Sequence, residues 1–374
     1  MDETTVFNEG YDFFGDNEEE TSSELTAYEK AAGINIADPY AVSMQDFSKL
    51  QREKLDEFDR LAWNAGNGYE APSFPIWSEK LEGLAPGFYI FAGFSNAGKT
   101  AFAVNLAYDY AMHEENHLHM IYFTLDDTAQ MAIPRIISMM KEIPISVSAR
   151  PQRFQNKIND LEPGCHKFNE WLKARSEGLQ ELKDKSGRIV IQDSSDMECA
   201  EKMLNYALMY KTYLQIEDPS ANLIVVIDSL MDVNIDQSRA REEKDRNTQI
   251  SRMMKDWADN KLKCPIFGTA HLRKNTGMKR PVISDLKESG RYEYDATAVF
   301  LVVNDVSRQG QNADIYYNKA NDTEKHPVIE IHWAKNKASS FKERTYYYFE
   351  PNYSKVVECS KEQTEQYDSI IYSS

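Results

Sequence analysis

Cysteine is scarce in this chain. The 374 residues hold four, Cys165, Cys199, Cys264 and Cys359, and no two stand as C-x-x-C. That spacing argues against a zinc site or a disulfide framework, and reduced thiols in a cytoplasmic protein are expected. No run of about 18 apolar residues occurs, so no membrane-spanning helix is expected. The first residues lack a basic stretch followed by an apolar core, so no signal peptide is expected. Excess positive charge is also missing. The formal net charge is −17, which argues against a protein that coats nucleic acid through bulk charge. A local basic channel stays open, because contact is decided by the local field. Nine of the acids fall within residues 1–25, which contain no Lys or Arg.

What is present divides the chain into four parts. Residues 1–40 read as an acidic, disordered tail. Its Phe7, Tyr11, Phe13 and Phe14 also suit a docking peptide for a basic, apolar groove. Residues 41–72 read as an amphipathic linker helix and a linker. Ser43 and Asp46 form a capping-box-like start, and Phe47, Leu50, Leu55, Phe58 and Leu61 form one apolar stripe. The stripe can be buried on the chain's own domain or on a neighbouring subunit. Residues 73–358 alternate short apolar strands with helical stretches, which predicts an α/β domain with a mostly parallel central sheet and helices on both faces. KERTYYYFEP (342–351) is expected to close that sheet, and 359–374 reads as a polar C-terminal tail.

The chemistry concentrates after the strand FYIFAG. GFSNAGKT, Gly93 to Thr100, fits G-x-x-x-x-G-K-[ST] and lies between that strand and the helix KTAFAVNLAYDYAM. Backbone N–H groups in such a loop face the β-phosphate of a nucleotide, helped by the helix N-terminus. The expected binding residues are Gly93, Ser95, Asn96, Ala97, Gly98, Lys99, Thr100 and Ala101. Lys99 neutralises the β- and γ-oxygens and Thr100 ligates Mg²⁺. A second carboxylate near the metal is required, and Asp228 at the end of LIVVID fits it. Asp126, with Asp127, ends IYFTL across from Lys99 and can orient water. His271 ends IFGTA, where it can contact the γ-phosphate.

Taken together, these segments resemble the DnaB family of replicative helicases, within the RecA-like group of P-loop ATPases, from about Phe74 to Tyr353. GLAPGFYIFAGFSNAGKTAFAVNLA resembles the family's G-L-x-P-G…G-K-T block. FTLDD stands at S-L-E-M, so Asp126 takes the catalytic Glu position. IQDSS resembles I-D-D-S-S and VVIDSL resembles the Walker B segment M-I-D-Y-L. AHLRK stands at S-Q-L-N-R, with His271 at the Gln sensor position, as in a phage primase-helicase branch. RPVISDLKESGRYEYDA is similar to R-P-x-x-S-D-L-R-E-S-G-x-I-E-Q-D-A, the longest of these matches. WAKNKASSFKER stands at K-Q-R-N-G, which places Lys335 and Lys337 where the family has a lysine and an arginine finger. K-N-K is closer to the paired lysines of RecA, and lysine lacks the arginine fork.

The resemblance implies an ATP-dependent helicase of phage type that translocates on single-stranded DNA. It further implies a ring, expected to be a hexamer, with ATP and Mg²⁺ at subunit interfaces. Lys99, Thr100, Asp126, Asp228 and His271 would come from one subunit, and Lys335 and Lys337 from the next. The two loops beyond 223–228 and 264–271 face the channel in the family. They supply Arg239, Arg241, Lys244 and Arg246 from the first, and Arg273, Lys274, Lys279, Arg280 and Lys287 from the second, as contacts to the strand backbone. Residues 1–72 are too short and too acidic for the family's helical N-terminal domain, and the acidic tail is a candidate contact for a replication partner. Two other readings stay open: a RecA-like recombinase or annealing ATPase forming filaments, and a DnaB-like interaction protein that hardly hydrolyses ATP.

Overall fold

The computed structural model describes residues 43–64, 68–235, 243–273, 280–286, 290–320 and 323–373. It divides into two units at Gly66. In the first, a helix spans Met44–Asn64. Its start is a reciprocal cap: the Ser43 amide donates to Asp46 Oδ2 at 2.8 Å, and the Asp46 amide donates to Ser43 Oγ at 3.3 Å. Of the apolar stripe, Leu50 is buried, whereas Phe47, Leu55, Phe58 and Leu61 are exposed.

The second unit is built on one sheet. Six strands are parallel: β1 (Gly87–Gly93), β2 (Leu118–Thr124), β3 (Ile189–Asp193), β4 (Asn222–Asp228), β5 (Pro265–His271) and β6 (Ala298–Asn304). Four antiparallel strands follow: β7 (Tyr316–Tyr317), β8 (His326–Asn336), β9 (Arg344–Glu350) and β10 (Lys355–Glu358). The order is β10-β9-β8-β6-β1-β5-β4-β2-β3, with β7 paired to β8.

The side-chain alternation of β1 explains why the sheet is covered twice. Tyr89 and Phe91 face one core, with Phe102, Phe267, Phe300 and Trp333. Phe88, Ile90 and Ala92 face the other, with Phe123, Val225, Ile227 and Trp257. A strand buried on both faces reads as a continuous apolar run, as 88–92 does. The helix Lys99–Met112 covers the first face, and the helices Ala200–Glu217 and Glu243–Asp256 cover the second. Trp77, from the short helix Pro75–Leu81, fills the first core. Its ring lies 4.6 Å from those of both Phe300 and Trp333 and 5.4 Å from that of Phe102. Edge and tilted contacts of this kind stabilise beyond area burial.

Three features differ from the sequence expectation or go beyond it. The segment 342–351 does not close the sheet, because β10 lies outside β9. Buried Asn105 fastens the extra strand to the helix Lys99–Met112: its Nδ2 donates to Ser354 O at 2.8 Å and its Oδ1 accepts the Val356 amide at 3.1 Å. Residues read as a polar tail form a helix, Lys361–Ser373. Tyr367 packs on Tyr346, whose hydroxyl donates to Asp368 at 2.7 Å. Between β2 and β3 stands a helical lobe with helices Ala129–Lys141, Ile145–Ala149, Pro151–Asn159 and Cys165–Asp184. Its small core holds Ile137, Ile143 and Val147, with Phe154, Trp171 and Leu172 against it.

Candidate active site

The parallel register gathers the candidate residues at one end of the sheet. Gly93 stands opposite His271, and Thr124 stands opposite Asp228. The loop after β1 needs unusual backbone conformations. Asn96 has φ 61° and Gly98 has φ 95°. A Cβ on Gly98 would come within 2.7 Å of Ile329 Cδ1, and one on Gly93 within 2.7 Å of Val302 O, so both positions require glycine. Ala97 turns back with its amide on Phe94 O at 3.3 Å, and no side chain caps the helix that starts at Lys99. Ser95 and Asn96 are exposed, while Ala97 and Ala101 are buried.

Lys99 is buried, and its Nζ donates to Phe94 O at 3.0 Å. Burial pulls its pKa down, against the opposing pull of Asp228 and Asp126. A buried ammonium with so few neutral partners is expensive, and a polyanion beside it restores the balance. Thr100 Oγ1 donates to Asp228 Oδ2 at 2.8 Å. The same carboxylate accepts from Thr269, and from the Tyr122 hydroxyl at 3.3 Å. The Asp228 carbonyl accepts the amides of Leu125 and Asp126 at 2.6 and 3.1 Å, which ties the end of β4 to the end of β2. Among the described residues, no three His, Cys, Asp or Glu side chains form a group that could hold an ion alone. The oxygen pair of Thr100 and Asp228 suits a Mg²⁺ that takes its remaining ligands from water and substrate phosphate, the usual habit of that ion.

Asp126 is exposed, and partial burial followed by the charges of Asp232, Asp228 and Asp127 raises its carboxyl above the ordinary range. A raised pKa improves a carboxylate as a proton acceptor. His271 is held toward the neutral form, first by burial and then by the Lys99 charge. A neutral imidazole both donates and accepts, as a phosphate-contacting group requires. Asp127 is bound to Arg135. Asp232 went unread in the sequence. It accepts Ser229 Oγ at 2.6 Å and acts electrostatically on both Asp126 and His271. Its only signal was a second acid four residues after Asp228.

The two lysines expected as fingers are elsewhere. Gly93 pairs with Val302 of β6, whereas Lys335 pairs with Val299. Three residues of strand place Lys335 roughly 10 Å further down the sheet. Lys335 Nζ donates to the carbonyls of Glu293 and of Tyr294, the latter at 3.1 Å, and Lys337 Nζ donates to Tyr294 O at 3.3 Å. These carbonyls close the helix Gly290–Asp295, where positive charge is favoured. Burial, then the nearby Lys337 charge, lowers the Lys335 pKa to about 8.

Of the expected strand contacts, Arg239, Arg241, Lys274, Lys279 and Lys287 lie outside the described residues, as does the side chain of Lys244. Arg273 is exposed. Two others have partners within the fold. Arg246 turns inward and donates to Met231 O at 2.6 Å. Arg280 also turns inward, to Glu330 at 2.8 Å and Asp305 at 3.1 Å, because both carboxylates are buried and need a cation.

Comparison with known proteins bears on family and fold. Residues 73–358 match the model of the DnaB-like helicase C terminal domain. The replicative DNA helicase DnaB of Haemophilus influenzae is 27% identical over 261 residues, covering 68% of this chain and 50% of that protein. The DnaB of Geobacillus stearothermophilus is 24% identical over 300 residues, covering 78% and 58%. The chain thus spans about half the length of the curated relatives it matches. Among solved structures, one described as an ATPase domain aligns with a TM-score of 0.63 at 20% identity, covering 83% of this chain and 98% of that one. A DnaB-like replicative helicase described with its interactions with primase aligns at 0.62 and 19%, covering 89% and 75%. The fold is the RecA-like ATPase fold, and the chain belongs to the DnaB-like helicase C-terminal domain family.

Proposed function

We propose that this chain is the motor subunit of an ATP-dependent DNA helicase that translocates on single-stranded DNA during replication. The observation that carries the reading is the buried Lys99 beside the Thr100–Asp228 pair, with Asp126 and His271 at the same strand ends. In this reading the loop amides and Lys99 bind the β- and γ-phosphates of ATP. Thr100 and Asp228 hold Mg²⁺, which supplies charge neutralisation at the transferring phosphoryl group. Asp126 orients the attacking water and accepts its proton. His271 donates to the γ-phosphate and loses that contact on cleavage. Lys335 and Lys337 stand at the other end of the strands, so the reading assigns them to the ATP of a neighbouring subunit in a ring, with six subunits as the expected number. The load is single-stranded DNA, held through phosphate contacts from the segments after β4 and β5. The working compartment in this reading is the cytoplasm of a bacterium or an infected cell.

A fork with a single-stranded tail tests the reading. The expected result is strand separation that requires ATP and Mg²⁺ and is absent in Lys99→Ala. Full unwinding by Lys99→Ala, or vigorous hydrolysis with no strand separation on either tail polarity, contradicts it. In the latter case the filament-forming alternative becomes the better account, and the K-N-K arrangement of Lys335 to Lys337 favours it.

A further inference from the structure

Two acids end β2, and their surroundings differ. The Asp126 side chain is exposed, whereas the Asp127 carboxylate accepts Nη1 of Arg135, from the helix Ala129–Lys141. The turn between strand and helix is held by other bonds. Thr124 Oγ1 donates to the Asp127 carbonyl at 2.9 Å, and the Ala129 amide donates to Asp193 Oδ2 at 2.9 Å. The amides of Leu125 and Asp126 reach the Asp228 carbonyl. None of these bonds uses the Asp127 carboxylate, so the ion pair with Arg135 is not what shapes the turn.

Arg135 also borders the nucleotide loop. It lines one small cavity together with Thr100, Ala101, Tyr122 and Ser354. Thr100 and Tyr122 both donate to Asp228, and the Arg135 charge acts on the Tyr122 hydroxyl. The guanidinium therefore stands beside the metal end of the proposed nucleotide site. In the pair, the Arg135 side chain is 34% exposed and that of Asp127 is 24% exposed. Water reaches both groups, so the pair can open without leaving a charge unsolvated in the interior, and a pair of this exposure is weak. A triphosphate carries more charge than one carboxylate and offers a planar guanidinium paired oxygens. It can therefore displace Asp127 from Arg135.

We infer that Asp127 is an internal competitor for Arg135: it holds the guanidinium that an incoming triphosphate must take over, and so it sets the affinity of the site for nucleotide. Asp127 acts through Arg135 and is a positioning residue. The inference rests on the proposed ATP site. Its test uses the full chain, Mg²⁺ and a ribose-labelled fluorescent ATP analogue that is not hydrolysed. The Kd is measured for wild type, Asp127→Asn, Arg135→Gln and the double variant, together with melting temperature. Asp127→Asn is expected to lower the Kd roughly three- to fivefold, the range that a partly exposed pair supplies. Asp127→Ala carries the test if Asp127→Asn melts early. Arg135→Gln is expected to raise the Kd. In that background Asp127→Asn is expected to change it by less than about twofold, because no cation is left to compete for. Removing an acid near a phosphate also relieves general repulsion, but that relief is the same with or without Arg135. An equal change in both backgrounds therefore overturns the inference, as does an unchanged or raised Kd in a stably folded Asp127 variant, and each leaves the ATP site standing. A folded wild-type chain that does not bind the analogue overturns both.

Discussion

At the residue scale, the surroundings of Asp126 and Lys335 set their basicity. Asp126 has its basicity raised by partial burial and by the acids around it. Lys335 is held close to its titration point, at about 8. That value gives a pH prediction with a definite sign. Below about pH 8 Lys335 carries its charge, and above it the ammonium is lost. ATP turnover supported by a neighbouring Lys335 should therefore decline as pH rises through about 8. Lys335→Arg, charged throughout, should lack that alkaline decline in a kcat profile measured from pH 7 to 9.5. An identical profile for both proteins would remove Lys335 from the reaction. These surroundings could not be read from sequence. Lys99, Thr100 and Asp228 were legible because their motif fixes spacing along one loop and one strand. Asp232 and the carbonyls that hold Lys335 become neighbours only through the sheet register. The inward turn of Arg280 was hidden for the same reason, since Asp305 and Glu330 lie 25 and 50 residues away.

At the element scale, strands buried on both faces were the easiest to read. FYIFAG and LIVVID are short apolar runs, and the structure places β1 and β4 within a residue of them. The helix 99–112 was legible from the loop that starts it. The edge of the sheet was harder. β10 is only four residues long, and besides its pairing with β9 it is held by one buried polar side chain, Asn105. Asn105→Ala leaves the Ser354 carbonyl and the Val356 amide without that partner. A buried group left unsatisfied costs about 1–3 kcal/mol, so the expected destabilisation is about 2–3 kcal/mol, read as a lower urea midpoint. A change below about 0.5 kcal/mol would mean that β10 is held by other contacts. The lobe between β2 and β3 escaped the sequence reading because its core is small. Ile137, Ile143 and Val147 carry it, with partly buried aromatics against them, so no long apolar stripe announces it.

At the scale of the whole molecule, the two groups of candidate residues lie at different levels of one sheet. The nucleotide loop lies where the parallel strands finish, and the lysine pair lies toward the start of β6. A single subunit cannot bring roughly 10 Å of strand to zero, so the motor reading requires subunits to share their sites. Mixing is the corresponding prediction. Lys99→Ala and Lys337→Ala proteins, each nearly inactive alone, should regain part of the hydrolysis when combined, because each supplies what the other lacks. No recovery at any ratio would count against a shared site. Among the described residues no helix is long and apolar enough to cross a membrane, and the net charge of −17 confines any DNA track to local basic segments.

The most direct measurement is steady-state ATP hydrolysis by the intact chain with and without single-stranded DNA, with the particle mass determined in the same buffer containing ATP and Mg²⁺. The motor account predicts strong stimulation and a closed assembly of about six subunits, the number expected from the family. A monomer whose hydrolysis ignores DNA would contradict it.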